Sequence, residues 1–426
     1  MSQPPNRFDP LFCKVILFLF PLLIVGNTAF ASTAVLGYST YIGGNNSDQI
    51  NAMQVDQDGY VYIAGTTYSA NYPVTPGAFM TTSKAGQNCG IGSCVAGFIT
   101  KLNPAGTQLV YSTFFPEPII SMALDANGNV FVTGQILDTN YSTTAGALDN
   151  PNGKIFVAKL NASGSSLSYA ARFGSTGVDD VSAIAVDGSG DTYVAGWSYA
   201  TDYPVTPGAF ATPQTGAFVT ELNDTGSAFV YSARLGGSDR YPIGGLGTRP
   251  LAIAVNDAHE AFVTGATDSK LFPVTATAFQ PKLAGGADAF LLRLNGSGSA
   301  VIYATYLGGG SGAYGTDALE AANAVSVDQN GNAYLTGTAR SSTHPFPVTS
   351  GAFQKVYVPY SSFFAFVARF NTNSSGAASL VYSTLLGGRG LGGNALKIDA
   401  TGNAYVAGST YDLVFPTTPT AFQSCR

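Results

Sequence analysis

Three observations predict an all-β chain assembled from repeated units. The octapeptide YPVTPGAF occupies residues 72–79 and returns at 203–210, with looser copies FPVTATAF at 272–279, FPVTSGAF at 346–353 and FPTTPTAF at 415–422. A second motif recurs six times: VDQDGYVYIAG from Val55, LDANGNVFVTG from Leu124, VDGSGDTYVAG from Val186, VNDAHEAFVTG from Val255, VDQNGNAYLTG from Val327 and IDATGNAYVAG from Ile398. Finally, 51 Gly, 23 Tyr and 27 Phe against 10% charged residues describe turns and strands and leave little for surface helices.

The acidic or Asn positions of the second motif, Asp56, Asp125, Asp187, Asn256, Asp328 and Asp399, are spaced by 69, 62, 69, 72 and 71 residues. Units of that size hold several strands each. In the third unit four are legible: SAIAVD (182–187), DTYVAGWS (191–198), GAFVTELN (216–223) and AFVYSARLGG (228–237). The first two are joined by D-x-x-G, where the Asp carboxylate accepts backbone N–H groups two residues on and Gly takes a positive φ, so Asp56, Asp125, Asp187, Asp328 and Asp399 are structural turn residues. The third and fourth are joined by N-x-x-G, as in NPAG at Asn103, NDTG at Asn223 and NGSG at Asn295. The octapeptide lies in the long link between the second and third strands. Its prolines fix an extended-then-turned path whose final Phe fills an apolar gap beside the sheet, a structural staple.

Four short antiparallel strands repeated six times describe a β-propeller, each unit one blade. Strands such as AIAV and FVAKL are almost continuously apolar, as expected of blades covered on both faces, with small residues that let neighbouring sheets approach. The blades fall at about 50–118, 119–180, 181–250, 251–322, 323–393 and 394–426 of a single propeller domain, 32–426. Residues 35–44 (VLGYSTYIGG) match a fourth strand yet precede the first full unit, and the sixth unit stops after its second strand. The N-terminal strand is therefore expected to close the last blade.

These residues carry a family resemblance. IAVDxxGNxYVAG resembles the first two strands of NHL-type propeller repeats. The whole unit, with FPVTPGAF, DAFLLRLN (288–295) and LVYSTLLGG (380–388), is similar to the bacterial SBBP, "seven-bladed", β-propeller repeat family. The chain departs from that family in count, with six copies, and the fourth copy has His259 where the turn Gly belongs.

The N-terminus reads as a signal peptide, residues 1–31. Arg7 and Lys14 precede the apolar run 15–25 (VILFLFPLLIV), and Ala29-Phe30-Ala31 gives a small-x-small cleavage pattern. The run is too short to span a bilayer. A secreted or cell-surface protein is expected, with no transmembrane segment in the mature chain. Cleavage removes Arg7, Asp9 and Lys14, a net +1, taking the charge from −6 to −7. That balance disfavours nucleic acid and anionic membranes. Cys89 and Cys94, in CGIGSC, suit a disulfide-closed loop in an oxidising compartment; Cys425 is left over.

Enzyme motifs are absent: no G-x-S-x-G, no H-E-x-x-H, no phosphate loop. His259 and His344 read as solvated loop residues. The DQDG turn lacks the full oxygen-rich calcium run, so no metal and no cofactor is expected. The long links differ between units and form the expected binding face, carrying Trp197, Arg240, Tyr241, Arg249, Tyr314, Tyr357 and Tyr360 as candidate ligand contacts. The expected function is a non-enzymatic binding scaffold for a protein or glycan, with association with the cell envelope as a further expectation. The alternatives are a carbohydrate-active hydrolase or lyase using loop carboxylates drawn from Asp179, Asp180, Asp239, Asp317 and Glu320, and a purely structural surface-layer component.

Overall fold

The computed structural model describes residues 16–18, 37–87, 94–138, 141–237, 247–310, 320–340, 345–356, 363–388, 390–411, 415–419 and 421. After a short strand β1 (Ile16–Phe18) come five four-stranded antiparallel sheets in chain order. The first is β2 (Asp48–Val55), β3 (Val61–Thr67), β4 (Ala96–Leu102) and β5 (Leu109–Phe115). The second is β6 (Ser121–Leu124), β7 (Val130–Gln135), β8 (Ile155–Leu160) and β9 (Leu167–Phe173). The third is β10 (Asp179–Val186), β11 (Thr192–Ser198), β12 (Gly216–Leu222) and β13 (Phe229–Gly237). The fourth is β14 (Thr248–Val255), β15 (Ala261–Thr267), β16 (Asp288–Leu294) and β17 (Val301–Leu307). The fifth is β18 (Ala321–Val327), β19 (Asn332–Arg340), β20 (Phe363–Asn371) and β21 (Leu380–Leu386). A sixth sheet pairs β22 (Gly390–Ile398) with β23 (Ala404–Thr410), and β1 lies along the other side of β23.

Hydrophobic burial joins the sheets in sequence. Tyr62, Ile99 and Phe115 of the first sheet share a core with Val132, Phe156 and Leu160 of the second. Phe131, Val157 and Phe173 of the second meet Val181, Ile184 and Phe218 of the third. The third meets the fourth, the fourth the fifth, and Tyr334 of the fifth meets Leu396 and Val406 of the sixth. Each sheet is too thin to hide its own apolar side chains, so stability comes from neighbours. The first strands converge: Gln54, Leu124, Val186, Val255, Val327 and Lys397, one from each sheet, line a common cavity of about 350 Å³.

The repeated octapeptide does more than fill a gap. Its Thr pairs with the outermost strand: Thr206 N donates to Ser232 O (3.1 Å) and Ser232 N donates to Thr206 Oγ1 (2.9 Å), and Thr75 and Ser112 repeat the exchange. Its final residue crosses to the next sheet, where the N–H of Phe79 donates to Gly164 O and that of Phe210 to Gly298 O. In the first three sheets the link thus fastens the outer edge to itself and to the neighbouring sheet, whereas in the fourth the N–H of Phe279 donates to Tyr303 Oη of its own sheet.

A chain of hydroxyls anchors the segment. Tyr203 Oη lies 2.9 Å from Thr220 Oγ1, which lies 2.8 Å from Ser232 Oγ, which donates to Pro204 O at 2.6 Å. Tyr72, Thr100, Ser112 and Pro73 repeat this order in the first sheet. The Tyr203 ring stacks on Phe218 at 4.2 Å.

Two expectations are corrected. Residues 37–44 form no strand, and 35–36 lie outside the described residues. The strand beside β23 is Ile16–Phe18, inside the expected signal peptide. The segment 37–44 nonetheless packs on the first sheet. The ring of Tyr38 lies where a Cβ on Gly106 would be, just as Tyr111, Tyr169 and Tyr231 lie over Gly164, Gly226 and Gly298 of the following sheets. It stands in the fourth-strand position of a preceding sheet without being hydrogen-bonded into one.

Nor are the faces of every sheet covered. Val181 and Ile184 of β10 are 2% and 6% exposed beneath the second sheet, but their register equivalents on β2, Ile50 and Met53, are 51% and 56% exposed. Covering such side chains is worth about 1.5–3 kcal/mol each, a gain the first sheet forgoes among the described residues.

Candidate functional site

Each sheet has two ends. At one end are the D-x-x-G and N-x-x-G turns; at the other are the long links and the passages between sheets.

At the link end, β11 delivers Trp197 and β14 delivers Arg249. The guanidinium carbon sits 4.9 Å from the indole centroid, and Tyr199 packs against the same indole at 4.7 Å. Arg249 also donates to Tyr199 Oη at 3.4 Å. Asp180 pairs across the ladder with Trp197, and burial holds its carboxyl above the usual range, opposed by Arg249. All four side chains are half-buried. Trp197 and Arg249 are the two predicted ligand contacts that fall among the described residues; Arg240, Tyr241, Tyr314, Tyr357 and Tyr360 lie outside them, as do Cys89, Asp239, Asp317, His344 and Cys425. Cys94 is buried.

The remaining link-end carboxylates are tied to the backbone. Asp179 accepts from Ser175 N (2.5 Å) and Ser175 Oγ (2.7 Å). Glu320 accepts from Gly309 N (2.6 Å) and Arg340 N (3.1 Å), and Asp288 from Ala284 N, Gly285 N and Gln280 Nε2. Asp288 and Glu320 both border Gly308. Desolvation pushes them up to about 6 and about 8 respectively, and for Glu320 the negative charge of Asp288 adds to the effect.

At the turn end, the Asp carboxylates organise the hairpins. Asp187 Oδ1 accepts from Ser189 N (2.9 Å) and Asp191 N (3.0 Å), and Oδ2 accepts from Tyr193 Oη (3.0 Å). Asp56, Asp125, Asp328 and Asp399 accept the same pair of backbone N–H groups. A basic residue on the third strand stands near three of these carboxylates: Lys101 at 3.8 Å from Asp56, Lys159 at 3.9 Å from Asp125 and Arg369 at 3.9 Å from Asp328. In the fourth sheet Arg293 reaches Glu260 at 2.6 Å.

The third sheet breaks this rule. At the register of Lys101 and Lys159 it has Glu221. Oxygens of Asp187, Asp191 and Glu221 all lie within 4.8 Å of one another. Burial, with the two aspartates adding to it, pushes Glu221 up to about 7. His259 is corrected from a solvated loop residue to a cross-sheet contact. It takes the Gly position of its turn at φ 60° and sets Nδ1 2.7 Å from Asp187 Oδ2, a bond that raises its pKa. The signal was present in the sequence: FVTELN stands where the other units read FITKLN, FVAKLN, FLLRLN and FVARFN.

Four-stranded antiparallel sheets, packed in sequence with their first strands on one cavity, define a β-propeller. The family model of the SBBP beta-propeller repeat matches two places in the chain, residues 37–73 and 169–204. The two matches run in register, from beside Tyr38 to Pro73 and from Tyr169 to Pro204. No curated protein matches the chain. Among solved structures it is similar to Kuenenia stuttgartiensis hydrazine synthase, at 8% identity and TM-score 0.43 over 86% of this chain and 77% of that one. It is also similar to U3-55K, at 11% and 0.37 over 87% and 91%, and to the WD40 repeats of RRP9, at 10% and 0.36 over 87% and 97%. No helix among the described residues is long and apolar enough to cross a membrane.

Proposed function

We propose that the protein is a secreted or cell-surface propeller of six blades that binds a protein or glycan on its link end without covalent chemistry. The observation that carries this reading is the Trp197–Arg249–Tyr199 cluster, which spans two sheets at the end where the links vary. A half-buried indole under a guanidinium offers a flat apolar surface beside a cation, suited to a sugar face or a peptide segment. Asp179 and Glu320, candidates for hydrolytic chemistry, already accept backbone hydrogen bonds. In this reading residues 1–31 are removed on export, which vacates the place of β1 beside β23, and Cys89 and Cys94 close a loop by a disulfide.

Glycan and peptide arrays probed with the mature protein test the reading. Trp197→Ala should weaken any captured interaction at least ten-fold while leaving the melting temperature within a few degrees, and Tyr357→Ala and Tyr360→Ala should weaken it in the same way. Unchanged binding in all three variants refutes the aromatic surface. A second reading, a carbohydrate-active enzyme, is favoured by the unequal pair Asp288 and Glu320 beside Gly308. Release of sugar from polysaccharide, abolished by Asp288→Asn, would establish it in place of the first.

A further inference from the structure

We propose that Asp187, Asp191 and Glu221 bind a divalent cation, Ca²⁺ by preference, at the turn end of the third sheet. The sequence assigned Asp187 to its turn alone and gave the chain no metal; the charge reversal on β12 changes that. In the first, second and fifth sheets the turn carboxylate faces a Lys or Arg of the third strand, so the local charges cancel. In the third sheet the same position is Glu221, and three carboxylates crowd together. Lys159 of the second sheet, whose ammonium reaches the side of this turn at Gly190, stands 3.9 Å from its own partner, Asp125.

An independent observation marks the missing partner. Glu221 is 2% exposed, and its Oε2 is buried without a hydrogen-bond partner. A buried carboxylate oxygen left in that state costs several kcal/mol unless a cation or donor meets it. Nearby, the hydroxyl of Tyr231, opposite Glu221 in the ladder, is also buried without a partner. His259 completes the surroundings: its imidazole contacts Asp187 Oδ2, so it steadies one ligand from the neighbouring sheet without being a ligand itself.

The donor set selects the ion. Carboxylate oxygens alone favour a hard cation. Three carboxylates gathered within 4.8 Å of one another supply oxygen ligands of the kind Ca²⁺ takes at about 2.3–2.6 Å with flexible geometry, whereas Mg²⁺ demands near-ideal octahedral geometry at about 2.1 Å.

The experiment uses the full chain after treatment with a chelator. Tb³⁺ is titrated with excitation of tyrosine, since Tyr193 donates to Asp187 and lies within range to sensitise it. Saturable emission at one ion per chain, displaced by Ca²⁺, is expected, together with a rise in melting temperature on adding Ca²⁺. Glu221→Lys installs the residue type of the sibling sheets and should therefore fold; it should weaken the Tb³⁺ response at least ten-fold and abolish the Ca²⁺-dependent melting shift. Asp191→Asn, which keeps the turn's backbone bonds, should do the same if the lysine variant fails to fold. Absence of saturable emission in the wild type, or a response undiminished in the folded variants, overturns the proposal.

Discussion

The hydroxyl chain Tyr203–Thr220–Ser232–Pro204 makes a sharp prediction, because every group in it has one role. The Tyr203 hydroxyl donates to Thr220, Thr220 to Ser232, and Ser232 to the Pro204 carbonyl, all within the buried interior. Thr220→Val keeps the shape but leaves the Tyr203 hydroxyl facing a methyl group. A buried donor without a partner costs about 1–3 kcal/mol. Tyr203→Phe alone retains the stack on Phe218 and loses one neutral hydrogen bond, about 0.5–1.5 kcal/mol. In the double variant nothing is orphaned, so its cost should fall near that of Tyr203→Phe, giving a coupling of about 1–2 kcal/mol. The chain already contains such a replacement: the fourth sheet has Phe272, Leu292 and Ala304 at the corresponding three positions, all buried. Urea unfolding of the wild type, both singles and the double would measure the cycle. A double variant whose loss equals the sum of the singles would refute the claim that the hydroxyls act as a unit.

The second sheet supplies the converse. Its Tyr141 faces Ala158 and Ala170 where the third sheet has Thr and Ser, and the Tyr141 hydroxyl is buried without a partner. Tyr141→Phe should therefore raise stability by about 1 kcal/mol in the same unfolding assay, and a loss would show that the hydroxyl is satisfied. Glu320, Asp288, Glu221 and His259 all have folded pKa values raised above their ordinary ones. The folded state thus holds protons that the unfolded state has released, and stability should fall by a few kcal/mol as pH climbs from about 5 to about 8 in the presence of chelator. A urea midpoint that is flat or rising over that window would contradict this.

The architecture was legible because it is written repeatedly: D-x-x-G, N-x-x-G and the octapeptide each fix local geometry through backbone hydrogen bonds and positive φ, which need no distant context. The closing strand was misread for the opposite reason. Residues 37–44 carry a fourth-strand pattern, but a strand exists only where a ladder partner meets it, and sequence similarity reports the pattern alone. At the turn end the aspartates were assigned from their own hairpins, and the cluster they join depends on Glu221 from β12 and His259 from the next sheet. The K-to-E exchange became visible only by comparing third strands across units. Most of the aromatic residues expected to contact ligand lie in links outside the described residues, and Trp197 owes its surroundings to Arg249, about fifty residues later in the chain.

The octapeptide's exchange of hydrogen bonds with the outermost strand bears on how so weakly charged a protein shields its sheet edges from self-association. Sheets rich in Val, Phe and Tyr with 10% charged residues would ordinarily need lysines or extra prolines along their margins to discourage self-association. Here the Thr and the residues after it occupy amides of β5, β9, β13, β17 and β21 that a foreign strand would seek. Gatekeeping is thereby done by the backbone, and lesions in this segment should surface as fibrous or amorphous precipitates before they surface as a lower melting point.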